Sequence, residues 1–176
     1  RLSAGPWRCA GLAEVCRAWE EEALKAQALG VRVVTLRIGV VLGRGGGALA
    51  MMLLPFKLGL GGPLGSGRQW MSWIHIDDLT GLAVWALERP QASGPVNAAA
   101  PEPVSNGDFS RALARVLHRP CLFRVPAFVL NLALGEMGGV LLDGQRVVPR
   151  KAQAGGYSFR HSGPEGALRA LLTPKP

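Results

Sequence analysis

The stretch Gly30-Val31-Arg32-Val33-Val34-Thr35-Leu36-Arg37-Ile38-Gly39-Val40-Val41-Leu42-Gly43 decides the fold. Its first half, Val31–Val34 with Leu36, is short, rich in β-branched side chains and apolar on both faces, the pattern of a buried parallel strand. Ahead of it, Leu12, Val15, Cys16, Trp19 and Ala23 recur at helical spacing between Ala10 and Leu29. Glu14, Arg17, Glu21, Glu22 and Lys25 fill the opposite face. Gly30 stops that helix as a left-handed cap. Helix, glycine and buried strand make half of a βαβ unit, so the fold class is α/β with a parallel sheet.

Punctuation downstream places the remaining elements. Ala48–Lys57 reads as a helix, and the glycine-rich Gly59–Gly67 as a long loop. A short strand is predicted within Arg68–Ile76, ending at Ile76. Asp77 or Asp78 is then expected to cap a helix through about Glu88, closed by Pro90. Pro95-Val96-Asn97-Ala98 is a further strand. Ser105-Asn106-Gly107-Asp108 carries the capping-box spacing for a helix to Leu117. From Cys121 onward, short apolar helices alternate with Pro and Gly breaks.

The 176 residues suffice for one compact domain, and 48% are hydrophobic, which argues against long disorder. The net charge is +8, from 20 Lys and Arg against 12 Asp and Glu. The basic residues are scattered, and their densest cluster is Arg146, Arg150 and Lys151. No basic run is interleaved with aromatics, so a nucleic-acid partner is not expected, whereas a small anionic molecule is. Cys9, Cys16 and Cys121 are odd in number and lack CxxC spacing, as reduced thiols in a cytoplasmic setting would be. Arg37, Arg44, Pro55, Asn131 and Glu136 interrupt every apolar stretch short of the roughly 20 residues a membrane span needs.

Few motifs carry chemistry by themselves. Ile38–Val41 should lie beyond the carboxyl end of a strand, where open α/β sheets bind ligands, although an ordinary strand exit looks the same. His75 invites a general-base reading, but a lone His beside Trp70 and Trp73 is more often packed. Asp78 is expected to cap a helix rather than to act as an acid. Gly43–Gly47 lacks the GxxxxGK[ST] spacing of a phosphate loop and suits a hinge or lid better. No metal-binding, esterase or paired-carboxylate pattern is present, and no catalytic residue is assigned.

Three stretches taken in order are more specific: Val33–Leu42, Leu58–Gly67 and Trp73-Ile74-His75-Ile76-Asp77-Asp78-Leu79. They resemble the extended short-chain dehydrogenase/reductase superfamily, and within it the NAD(P)-dependent epimerase/dehydratase-like proteins of unassigned substrate. Gly94–Asn97, Pro103–Asn106 and Gly144–Pro149 fit the same group. The resemblance implies a Rossmann-like parallel sheet with a small C-terminal α/β substrate lobe. It divides the chain into an irregular lead-in over 1–11, the C-terminal part of the Rossmann-like domain over 12–100, and mainly the substrate lobe over 101–176.

The resemblance also implies NADP or NAD as cofactor, with Ile38, Gly39, Val40 and Val41 against its nicotinamide end. No GxxGxxG fingerprint opens a helix in this chain, so the N-terminal βαβ half is expected to be absent and dinucleotide binding weakened. The superfamily's Tyr-x-x-x-Lys dyad would fall on Leu12 and Cys16, with Glu20 at its acidic position. A Leu cannot transfer a proton, and a thiol does not replace an ammonium. The resemblance implies an epimerase- or oxidoreductase-like protein, of isomerase or oxidoreductase class, acting on an unidentified small, nucleotide-sugar-like molecule, with the usual Tyr/Lys dyad lacking. A non-catalytic NADP(H) sensor and a fragment binding no dinucleotide are the alternatives.

Overall fold

The computed structural model describes residues 10–126, 128 and 142–173. Residues 1–9, with Cys9 and most of the expected lead-in, fall outside it, as do most of the short helices expected after Cys121. Helix α1 (Ala10–Lys25) runs into a 3-10 turn at Ala26–Leu29. Gly30 closes that turn at φ 76°, donating its N–H to the Gln27 carbonyl at 3.0 Å. The expected glycine cap is present.

Strand β1 (Val34–Ile38) begins three residues later than the sequence suggests, because pairing starts at Val34 opposite Gly94. Gly39 interrupts the strand, and β2 (Val40–Leu42) continues it with a different partner. Helix α2 (Gly47–Lys57) follows. The single strand predicted before Ile76 is two strands, β3 (Trp70–Met71) and β4 (Trp73–His75), split at Ser72. Ile76 belongs to α3 (Ile76–Glu88), then β5 (Gly94–Ala98), β6 (Val104–Ser105) and α4 (Asn106–Leu117). Helices α5 (Arg150–Ala154) and α6 (Pro164–Leu172) complete the described elements.

The strands form three two-stranded ladders: β1 parallel to β5, β2 parallel to β4, and β3 antiparallel to β6. Helix α3 connects β4, parallel to β2, with β5, parallel to β1, a βαβ crossover of the Rossmann kind. The kink at Gly39 has a steric cause. Its N–H still reaches the Ala98 carbonyl at 3.0 Å, while the next N–H, of Val40, reaches the Ser72 carbonyl at 2.8 Å. A Cβ on Gly39 would stand 2.6 Å from that Ser72 oxygen, so the strand changes partner where only glycine fits.

Two apolar cores flank the ladders. Leu42, Leu49, Phe56, Trp73, Phe109, Leu113, Leu168 and Leu171 pack α2, α4 and α6 around β2 and β4. Ile74, Leu82, Val96, Ala98 and Ala152 hold α3 and α5 against β5. Each fully buried large apolar side chain contributes about 1.5–3 kcal/mol. Strand β1 is less buried than its sequence suggests: Val34, Thr35 and Leu36 are half-buried, and Ile38 is 53% exposed. Among the described residues β1 is paired along one edge only, and Trp19 of α1 is 71% exposed. No helix of the described residues is long and apolar enough to cross a membrane.

Candidate functional site

The expected exit loop is not a loop: Ile38 ends β1, Gly39 alone is the break, and Val40 and Val41 lie in β2, paired with Trp73 and Ile74 of β4. Ile38 stands exposed at the open edge of β1, and Gly39 is pressed against Ser72. Val40 packs half-buried on the α2–α4–α6 core, and Val41 on the α3–α5 core. The four residues are contiguous yet face different surroundings. Val41 alone among them lines a cleft of about 720 Å³, with Gly43, Arg44, Gly46, Gly47, His75, Asp77 and His161.

His75 caps helix α3, a role the sequence assigned to Asp77 or Asp78. Its ring Nδ1 accepts the Asp77 N–H at 3.0 Å, doing what a Ser or Asp oxygen does at other helix starts. The side chain is 3% exposed, and the His161 ring stacks on it with centroids 3.9 Å apart. Burial first, and the neighbouring His161 second, push its pKa below the ordinary 6.5.

Asp78 is fully buried and works as an anchor. Its Oδ1 accepts the Arg160 N–H at 2.8 Å and its Oδ2 the His161 N–H at 2.9 Å. The Tyr157 hydroxyl donates to the Asp78 backbone carbonyl at 2.9 Å, and burial raises the pKa of that phenol. One carboxylate thus fixes the 157–161 segment and places His161 over His75. Two adjacent acids at a helix start were visible in the sequence, but their partners lie about 80 residues away.

His75, Asp77 and His161 offer donor atoms within 4.8 Å of one another, a spacing that draws attention as a metal site. The geometry does not favour one. The imidazole planes lie 24° apart in a stack, so their in-plane lone pairs do not converge, and Nδ1 of His75 is already engaged by Asp77.

On the other side of β1, Arg37 and Glu20 form a bidentate ion pair, with Nε–Oε1 and Nη2–Oε2 both 2.7 Å. The pair lowers the pKa of Glu20 by direct hydrogen bonding and ties α1 to β1. Helix α1 also carries Leu12 and Cys16, two turns and one turn ahead of Glu20 respectively, with Cys16 exposed. The basic cluster is dispersed: Arg146 lies 5.1 Å over the Trp70 ring, and Lys151 is bound to the Ser93 carbonyl. Trp73 is buried in the core, and the two tryptophans do not line the cleft.

Residues 10–99, just over half of the chain, match the NAD dependent epimerase/dehydratase family. The chain belongs to that family. Residues 125–171 match a second segment, a domain of unknown function termed DUF1731. An epimerase family protein of Arabidopsis thaliana, an SDR39U1 homologue described as chloroplastic, is 51% identical over 161 residues, covering 92% of this chain and 46% of its own length. The Bacillus subtilis epimerase family protein YfhF is 44% identical over 161 residues, covering 92% of this chain and 53% of its own. The crystal structure of human epimerase family protein SDR39U1 (isoform 2) with NADPH superposes with a TM-score of 0.78 at 43% identity, over 80% of this chain and 48% of that one. The chain spans about half the length of the curated relatives it matches. The stack of His75 on His161 joins the epimerase-family segment to the second one.

Proposed function

We propose that this chain supplies the nicotinamide-facing part and the substrate lobe of an NADP(H)-binding, epimerase-like protein. One observation carries the reading: at Ile38–Val41 the chain passes from the carboxyl end of β1, whose second edge is open among the described residues, across Gly39 into β2, beside an exposed Ile38. A flat ring resting on that edge meets backbone polar groups and small apolar side chains. Residues 101–173 carry β6, α4, α5 and α6, the expected substrate lobe, acting on a small molecule that the sequence does not specify.

The residues fit the cofactor at that end only. Among the described residues no strand, GxxGxxG turn and helix stand together to hold a dinucleotide pyrophosphate. When bound, the nicotinamide would supply hydride transfer. Ile38–Val41 would orient it, and the Arg37–Glu20 pair would hold β1 in place beneath it. The positions of the superfamily's proton-transferring dyad hold Leu12 and Cys16, so no proton is assigned to α1. That substitution supports a second reading, a module that binds NADP(H) without ordinary turnover.

The test joins the chain to the first half of the Bacillus subtilis relative and follows NADPH fluorescence. Ile38→Glu is expected to weaken NADPH binding at least about tenfold by charge placed against the ring, leaving 2′,5′-ADP binding unchanged. Equal NADPH affinity in the variant contradicts the placement. Absorbance assays with sugar nucleotides and simple ketones separate the two readings, since turnover at about 1 per second or more excludes a pure sensor.

A further inference from the structure

The segment Gly43–Gly47 joins the carboxyl end of β2 to the first turn of α2, a context that spacing alone did not reveal. Gly45 and Gly47 take φ values of 77° and 65°, which open the turn, and the cap residue Gly46 brings no side chain to the helix N–H groups. The first-turn N–H groups of this 11-residue helix therefore lack a side-chain cap, at the positive end of its dipole. Gly46 and Gly47 line the 720 Å³ cleft.

A helix end is not by itself a site, and the independent observation is His75 in the wall of the same cleft. Its Nδ1 accepts the Asp77 N–H, so the neutral ring carries its proton on Nε2. That Nε2 is buried and has no hydrogen-bond partner among the described residues. A buried donor without an acceptor calls for one from a ligand. Arg44 lines the cleft as well. Its Nη2 is held by the carbonyls of Ala170 at 2.7 Å and Thr173 at 2.9 Å, which position the guanidinium without neutralising it. The Asp77 carboxylate stands on the Nδ1 side of the imidazole, 3.7 Å away, and is the one negative group in the lining.

We propose that this cleft is an oxyanion site, taking the phosphate or carboxylate group of a small ligand on the α2 N-terminus, Arg44 and the His75 Nε2–H. The cleft shares Val41 with the nicotinamide reading, but the proposal does not rest on that reading and is tested without any nucleotide. The whole chain is titrated with inorganic phosphate, and separately with acetate, at constant ionic strength, while amide and imidazole NMR signals are followed. Saturable shifts are expected at Gly46, Gly47 and the His75 Nε2–H, with a dissociation constant on the order of 1 mM for the better anion. A phosphate-bearing ligand is indicated if phosphate binds more tightly, and a carboxylate ligand if acetate does.

His75→Asn keeps an acceptor at the helix cap and removes the Nε2–H. Arg44→Gln keeps a donor for the two carbonyls and removes the charge. Each is expected to weaken the better anion at least about tenfold. If His75→Asn folds poorly, the exposed Arg44→Gln carries the test. Absence of saturable shifts at these signals with both anions, or wild-type affinity in Arg44→Gln, overturns the proposal.

Discussion

The imidazole of His161 lies on that of His75, ring centroids 3.9 Å apart, and Asp78 holds it there through the His161 backbone N–H. The contact links residues 86 positions apart and makes one surface from two separately recognisable segments. Asp78→Ala removes the acceptor of two N–H groups at once. It is expected to cost about 2–4 kcal/mol, against about 1–2 kcal/mol for Asp78→Asn, which keeps one acceptor. Urea unfolding measures both, and faster amide exchange at Arg160 and His161 should accompany the loss. A change within about 0.5 kcal/mol for Asp78→Ala contradicts the anchoring role.

The two glycines that bound the β1 region differ in why they are glycine. Gly39→Ala pushes a Cβ to 2.6 Å from the Ser72 carbonyl, against backbone that cannot give way. The expected cost is about 1–3 kcal/mol or more. Gly30→Ala meets nothing within 4 Å and pays only for its φ of 76°, about 1 kcal/mol. Thermal melts of the two variants should rank in that order, and the reverse order contradicts the account of the kink.

These positions also show what the sequence made legible. Gly30 was readable because a cap is local: an apolar periodicity ends and a residue tolerant of positive φ follows. Ser105 was readable for the same reason, and its Oγ accepts the Asp108 N–H at 3.1 Å. The start of β1 was not, because Val31–Val33 have the same strand character as Val34, and only the distant Gly94 sets where pairing begins. His75 was missed as a cap because Asp77 and Asp78 are the commoner capping types. The signal that could have found Asp78's role lies in Tyr157–His161, far along the chain. Glu20 was placed by resemblance, whereas its partner Arg37 became visible only in three dimensions.

Acid should weaken the fold through His75. Its pKa is depressed in the folded protein, so the unfolded chain binds the proton more readily. Stability from the neutral, capping ring is present above the unfolded value of 6.5 and is lost as pH falls through and below it. Arg44 and His161 oppose protonation, while Asp77 and Asp78 favour it. Urea midpoints should therefore fall between about pH 7 and pH 5, and His75→Asn should flatten that slope. An unchanged slope in the variant contradicts it. Glu20 and Asp108, whose pKa values are lowered by their hydrogen bonds to Arg37 and to Ser105 and Arg111, add their losses only at lower pH.

The apolar face of α1 lacks cover among the described residues: Val15 is 44% exposed and Trp19 71%. Trp19→Lys is expected to change the stability of this chain by no more than about 0.5 kcal/mol, measured by urea unfolding. A loss above about 2 kcal/mol would show that Trp19 is buried in solution.

The placement of a nicotinamide on Ile38–Val41, with the phosphate grip outside these residues, is tested most directly by calorimetric titration with NADPH. The chain is titrated alone and joined to the first half of the Bacillus subtilis relative. The account predicts no saturable binding by the chain alone at about micromolar concentrations and a dissociation constant on the order of 1 µM once joined. Micromolar affinity in residues 1–176 alone, or none after joining, would contradict it.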